Sequence, residues 1–217
     1  MSIEERFGKK DAQIWKEFVH KEKLSQAQAQ QLEHYLLLLR EWNEHTNLTR
    51  IVDIPDIIAF HFQDSMRLAD KIDFSTLKGV CDVGSGGGFP GIPLKILNPT
   101  IPFYLLEVNN KKVDFLESVI AALDLQDCMV SSLDWRTFLR QTSFAIDLVL
   151  ARASLRPDEL LRMFKPSSPY SDGMLVYWAS KHWQPDETEK AYLIKKEMYH
   201  VGGQQRVYAI FKNKKND

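Results

Sequence analysis

Apolar positions recur at helical spacing through the first third of the chain, then change to short solid runs separated by more polar stretches. Ile14, Trp15, Phe18 and Val19 mark one apolar face. Ser25 and Gln28 form a capping box, after which Leu32, Tyr35, Leu36, Leu39 and Trp42 keep a helical period. Asn43 to Asn47 is polar and predicts a turn. Asp53 with Pro55 predicts the start of a further helix carrying Ile57, Ile58, Phe60 and Phe62. From Lys78 strands and helices alternate: strands are expected at 79–83, 102–107, 127–131, 146–151 and 173–179, helices at 90–97, 111–123, 134–140 and 157–164. Asn98-Pro99 ends the first of these helices and Lys111-Lys112 open the second. Such alternation implies an α/β fold, a mostly parallel sheet with helices on both faces. The tail differs, because Tyr192 to Val201 and Arg206 to Phe211 are strand-like runs around Gly202-Gly203, the pattern of an antiparallel hairpin. The expected organisation is an N-terminal helical extension over 1–77 and an α/β domain over 78–217.

The most informative segment is Gly79-Val80-Cys81-Asp82-Val83-Gly84-Ser85-Gly86-Gly87-Gly88-Phe89-Pro90-Gly91. A buried strand delivers Asp82 to its carboxyl end and the chain turns tightly into a helix, so a ligand is expected against the bare backbone of Gly84 to Gly88. Proline suits a first helical turn, which fits Pro90. Two ligand classes fit the glycines. Gly86, Gly88 and Gly91 match a dinucleotide fingerprint, with Glu107 standing 21 residues after Gly86 as its ribose acid. Read instead as Gly84, Gly86 and Gly88 behind Asp82, the loop resembles the first motif of the Rossmann-like class I methyltransferases, whose ligand is S-adenosylmethionine. An acid ahead of the loop repels a pyrophosphate and helps to hold an ammonium group, which favours the methyl donor. The antiparallel tail agrees, since that fold ends its sheet in such a pair.

Glu107 closes the run Phe103 to Leu106, and a carboxylate at a strand mouth can accept from both ribose hydroxyls. Leu133 and Asp134 follow the third strand, where an apolar side chain covers an adenine and an acid accepts from its amino group; Asp134 reads equally well as a helix N-cap. Arg152 ends the fourth strand and could bind a phosphate or a base edge, or pair with a neighbouring acid. Lys181, beyond the fifth strand, faces the same side and is a weaker candidate. His61 and Asp64 read as a helix-surface or interdomain pair rather than an acid–base couple. No cluster has metal-ligand spacing, so no metal is expected. No Ser–His–Asp order and no G-x-S-x-G elbow stands out. Enzymes that methylate exocyclic amino groups of bases commonly place Asn/Asp-Pro-Pro-aromatic after the fourth strand, where this chain has Ala151-Arg152-Ala153. Carbon-5 pyrimidine enzymes need a nucleophilic cysteine at a strand mouth, and neither Cys81 nor Cys128 stands there. A ring nitrogen, with its own lone pair, needs neither device.

Composition narrows the setting. The 217 residues are 44% hydrophobic and carry a net charge of −1, so nucleic-acid binding must rest on local patches. Both cysteines lie in apolar runs, which suggests buried thiols in a reducing compartment. The first ten residues lack the apolar core of a signal peptide. The longest apolar stretch, Tyr35 to Leu39, is far short of the roughly 20 residues that span a bilayer. A cytoplasmic monomer without a membrane partner is expected.

Trp42-Asn43, Asn47-Leu48-Thr49, His61-Phe62-Gln63-Asp64-Ser65, the glycine loop continued by Phe89-Pro90-Gly91-Ile92-Pro93-Leu94, Leu105-Leu106-Glu107, Lys111 to Leu116 and Ala151-Arg152-Ala153 together resemble one family. That family is the bacterial small-subunit rRNA guanine-N7 methyltransferases, called RsmG or GidB. The resemblance runs from about Leu32 to Lys181. It implies a methyl donor held at Gly84, Phe89, Leu133, Asp134 and Arg152, with Glu107 near the ribose, beside the Asp82 and Gly86 contacts expected from the loop itself. The substrate it implies is one guanine of 16S rRNA in the small ribosomal subunit. RNA phosphates are then expected at Arg152, Lys181, Lys9, Lys10, Lys16, Arg40 and Arg50. The chain departs from the family pattern at Ser132-Leu133-Asp134, at Glu107 where aspartate is usual, and at Lys165 to Gly173, which replaces a shorter Pro-Gly-Gly turn. The residues alone leave open a protein or small-molecule substrate for the same donor, and a nucleotide-binding module without catalysis.

Overall fold

The computed structural model describes residues 3–214. Helices α1 (Ile3–Phe7), α2 (Lys9–Lys21) and α3 (Gln26–Thr46) open the chain. The capping box forms as the sequence predicts: Gln28 N–H donates to Ser25 Oγ, and Ser25 N–H donates to the Gln28 side chain. The turn expected at Asn43 lies further on. Helix α3 runs through Thr46, and Asn47 ends it in the left-handed region that asparagine tolerates. Asn43 stays helical and its side chain accepts from Thr49 N–H at 2.8 Å, so its polarity serves the loop beyond.

Asp53 and Pro55 do start a helix, α4 (Ile54–Ile57), but the run is not regular. A π-helical turn over Ile58–Gln63 leads into α5 (Asp64–Met66) and a 3₁₀ turn over Arg67–Asp70. The wide turn presents Ile58, His61 and Phe62 inward together, and such insertions gather at functional sites.

Seven strands form one sheet: β1 (Val80–Val83), β2 (Phe103–Leu106), β3 (Cys128–Ser131), β4 (Leu148–Arg152), β5 (Met174–Ala179), β6 (Leu193–Val201) and β7 (Gln204–Lys212). Their order is β3-β2-β1-β4-β5-β7-β6; the first five are parallel, and β7 runs antiparallel to both β5 and β6. The Gly202-Gly203 turn joins the expected hairpin. Between the strands lie α6 (Gly91–Leu97), α7 (Asn110–Ala122), α8 (Trp135–Gln141), α9 (Pro157–Leu160) with a 3₁₀ turn to Phe164, and α10 (Glu187–Tyr192). Helix α10, closed by an Asp186–Glu189 capping box, takes Tyr192 from the expected strand. Asn109, rather than the lysine pair, caps α7. Cys81 is buried as expected, whereas Cys128 is only half-buried.

Alternation along β1 assigns its faces. Cys81 and Val83 pack with Trp135, Phe138 and Leu160 beneath α8 and α9. Val80 packs with Leu94 on the opposite face. The helical part is not a separate lobe, because Leu32, Tyr35 and Phe62 share a buried cluster with Phe89, Leu105 and Phe115. Tyr35 is central: its ring stacks on Phe62 and Phe115, and its hydroxyl donates to the carbonyl of Gly87.

Candidate active site

At the carboxyl ends of β1, β2 and β4 lies a cavity of about 490 Å³. Such strand mouths are where open α/β sheets bind ligands. Its floor is the turn between β1 and α6. Gly84, Gly86 and Gly88 have φ values of 70°, 58° and 90°, whereas Gly87 and Gly91 do not enter the left-handed region. The alternating set therefore shapes the loop, as in the methyl-donor reading of the sequence. A Cβ on Gly88 would lie 2.6 Å from the Tyr35 hydroxyl and 2.7 Å from Ile92. Gly86 instead faces open space, where a ligand can approach its backbone.

Glu107 holds this loop. Its Oε2 accepts from Gly86 N–H and its Oε1 from Asn109 N–H, both at 2.9 Å. Each oxygen keeps a second acceptor position for a diol. Leu133 lines the cavity beside Leu106 and Val108 and offers apolar cover. Asp134 lines it too, but as the N-cap of α8: Oδ1 accepts from Arg136 N–H and Thr137 N–H, and Oδ2 from the Thr137 hydroxyl. The Thr137 hydrogen bonds hold its carboxyl below the usual range and leave little acceptor capacity for an adenine.

Asp82 is not among the residues that line the cavity. It is fully buried under the loop, where Oδ2 accepts from Gly91 N–H at 3.0 Å and Oδ1 has no partner. Burial pushes its carboxyl up to about 6 despite that hydrogen bond. The carboxylate thus anchors the start of α6 from behind rather than meeting a ligand head on. Lys181 also lies outside the cavity, exposed beyond β5.

The opposite wall comes from the helical part and was not singled out by the sequence as ligand-lining. Leu48, Thr49 and His61 face the glycine loop. His61 stacks on Phe89 with ring centres 4.3 Å apart, and the Arg152 guanidinium lies 5.4 Å from the same Phe89 ring. Arg152 is already engaged: Nη1 donates to the carbonyl of Phe60 at 2.9 Å and to Asp64 Oδ2 at 2.8 Å. Its side chain is only 15% exposed. Of the two roles the sequence allows, pairing with an acid is the one the geometry displays. Asp64 is buried and also accepts from the Tyr199 hydroxyl at 2.7 Å, so it joins the helical part to both β4 and β6. Of the two placements the sequence allows for His61 and Asp64, the helix surface is not observed; both are buried between the helical part and the sheet.

Arg152 fixes the imidazole. Its Nη2 lies 3.2 Å from His61 Nδ1, and a guanidinium can only donate, so Nδ1 accepts and the proton resides on Nε2. That Nε2–H donates to Thr49 Oγ1 at 2.8 Å. Burial and the nearby guanidinium push His61 down to about 3, keeping it neutral. Thr49 Oγ1 accepts a second bond from Ile51 N–H at 3.0 Å. With both acceptor positions filled, its own proton is all that the hydroxyl can offer the cavity.

The family model described as "rRNA small subunit methyltransferase G" matches residues 28–209. The chain belongs to the rRNA small subunit methyltransferase G family. Among curated members, the protein of Geobacillus sp. (strain WCH70) is 42% identical over 144 residues, 65% of this chain and 60% of that protein. The Exiguobacterium sp. protein is 35% identical over 160 residues, 73% of this chain and 67% of its own. Both bear the name Ribosomal RNA small subunit methyltransferase G. The chain thus spans about three-fifths of the length of the first of these relatives. Two solved structures share the fold at low identity. TrmK of M. capricolum, in complex with S-adenosyl-homocysteine, has a TM-score of 0.54 at 12% identity and covers 70% of this chain and 68% of its own. Magnesium protoporphyrin IX methyltransferase of Synechocystis PCC 6803, with bound SAM, has a TM-score of 0.52 at 15% identity and covers 82% and 97%. The family member described above therefore has the Rossmann-like class I methyltransferase fold, with a helical extension ahead of it.

Proposed function

We propose that this chain transfers a methyl group from S-adenosylmethionine to N7 of a guanine in 16S rRNA, in the cytoplasm, as a monomer. Family membership supports the reaction and the substrate class. The residues fit the cofactor: Glu107 has acceptor positions left for a ribose, Leu133, Leu106 and Val108 give apolar cover, and Gly86 leaves open space. A cavity of about 490 Å³ is of ligand size. Gly84, Phe89 and Asp134 line the same cavity, with Asp82 bracing the glycine loop from behind and Arg152 bracing the helical wall. When bound, the cofactor supplies an electrophilic methyl group, which a ring nitrogen attacks with its own lone pair.

The observation that carries the guanine reading is the state of the helical wall. A ring nitrogen has no proton to remove, so its site needs no general base. The imidazole here is unfit to be one: Nδ1 is occupied by Arg152, Nε2 carries the proton, and the ring stays neutral. Thr49 presents a donor only, and the guanine edge that holds N7 also holds O6, another acceptor. Adenine would place an amino group there. Thr49 thereby steers O6 while N7 stays free, and positioning of that kind contributes several kcal/mol. We further propose that residues 1–77 form the RNA-facing extension and 78–217 the cofactor domain, with Arg40, Arg50, Lys9, Lys10 and Lys181 touching phosphates. Lys16 is less available, being paired with Glu4.

The test is methylation of small subunits, stripped 16S rRNA and total protein from cells lacking this chain, with labelled S-adenosylmethionine. Label confined to guanine in RNA, at a position that becomes cleavable by reduction and aniline, is expected. Label on an exocyclic amine, a ribose or a protein would overturn the reading.

A further inference from the structure

A second cavity, of about 520 Å³, lies between α8 and the segment that follows α9. Arg136, Arg140, Arg162 and Lys165 line it, together with Ser167 and Ser168. Four cations around one cavity, two from each side, contrast with a chain whose net charge is −1. The carboxylate that meets two of them, Arg136 and Arg162, is Glu159. Arg136 donates to it through Nε at 2.9 Å and Nη2 at 2.8 Å, and Arg162 through Nε at 2.8 Å and Nη2 at 3.3 Å. Both arginines use the same edge, so Glu159 fixes two guanidinium planes and leaves each Nη1 free to donate. The two arginines hold Glu159 at about 2, so it remains a fixed anion between them. Arg140 has one weak bond, from Nη2 to Thr137 at 3.4 Å, and Lys165 has no side-chain partner among the described residues.

The local sequence explains the cavity. Lys165, Ser167 and Ser168 belong to the segment that leads from the 3₁₀ turn after α9 to β5. This segment brings a lysine and two hydroxyls against the basic face of α8. The cavity also adjoins the proposed active site. Trp135, the first residue of α8, lines the active-site cavity, and its indole N–H donates to the carbonyl of Glu159 at 3.1 Å. The next residue of α8, Arg136, lines the basic cavity, so the two sites meet at the start of this helix.

We propose that this basic cavity is a phosphate-binding site that grips the backbone of the substrate RNA away from the reacting guanine. Fixed guanidinium forks suit phosphate oxygens, and such contacts add affinity without reading sequence. The proposal rests on RNA being the substrate, and it assigns part of the affinity to residues outside the active site.

The decisive variant is Arg140→Ala with Lys165→Ala. Both side chains are exposed and neither belongs to a core cluster, so folding is retained, which thermal unfolding checks. Binding to full-length 16S rRNA is measured across a salt series, beside methylation of a short oligonucleotide carrying the target guanine. Loss of about tenfold or more in affinity for the long RNA is expected, with a salt slope shallower by roughly 1.5 and an unchanged kcat on the short one. Wild-type affinity and slope in the variant would overturn the proposal. So would calorimetric binding of inorganic phosphate that the variant loses while its RNA affinity stays intact, since the site would then serve a small anion. If the wild type methylates no RNA at all, the proposed function itself fails.

Discussion

The two walls of the active-site cavity are built by different physics. The sheet-side wall is local. Strand β1, three glycines at positive φ and the first turn of α6 occupy one short stretch of chain, tied across to Glu107 by a single hydrogen bond. The helical wall is assembled from afar: Thr49, His61, Asp64, Arg152 and Tyr199 meet only in the folded protein. The first wall depends on backbone shape, the second on buried charge. Backbone shape tolerates the loss of a single side chain, whereas a buried ion pair fails when either partner is lost.

The largest effect is expected at Asp64. Asp64→Ala leaves the Arg152 guanidinium and the Tyr199 hydroxyl without their buried partner and should cost about 3–5 kcal/mol in urea unfolding. Arg152→Ala should cost a similar amount, and the double variant should cost less than the two together. Additive losses would show that the ion pair does not organise this wall. Arg152→Ala therefore cannot separate activity from folding.

A pH experiment separates the walls next. Asp82 is raised to about 6, so the folded protein binds a proton more tightly than the unfolded chain does. Its contribution is favourable below about pH 4 and is lost as the pH rises to about 6, a change of up to about 3 kcal/mol. Relative to wild type, Asp82→Asn should gain stability over that interval and hold the gain above it. A constant difference across the range would refute the assignment. His61 acts with the opposite sign, because its lowered value makes the fold less stable as the pH falls from about 6.5 toward about 3.

Gly88→Ala probes backbone shape alone. Strain at positive φ and the approach to Tyr35 and Ile92 should cost about 1–3 kcal/mol and weaken S-adenosylmethionine binding by calorimetry. Unaltered binding would mean that the loop is more forgiving than its geometry. The smallest effect on stability belongs to Thr49→Val. It removes one hydroxyl and should cost about 1–2 kcal/mol, while lowering the preference for guanine over adenine in oligonucleotide methylation. An unchanged preference would break the link between the helical wall and base choice.

How much of this was legible follows the same division. The strand–loop–helix unit, Glu107 and the terminal hairpin were readable because glycine spacing, apolar runs and Gly202-Gly203 act over a few residues. Asp82 was identified as important but assigned to the ligand side. One residue of register in β1 decides whether it faces the ligand or the start of α6, and spacing does not reveal that. The role of Thr49 was hidden because it depends on a tautomer set by Arg152, 103 positions later. Likewise, nothing in the periodicity of Ile57, Ile58, Phe60 and Phe62 announces a π turn.

The hydroxyl of Tyr35 on the Gly87 carbonyl has one further consequence. A long helix on one side and a ligand-cradling turn on the other share that contact, so each reports on the other. Coupling between two binding events is reciprocal in free energy. If methyl donor settles the turn, it slows hydrogen exchange along α3 as well. Under the proposed function, an RNA strand that steadied α3 would tighten the grip on the donor by the same factor.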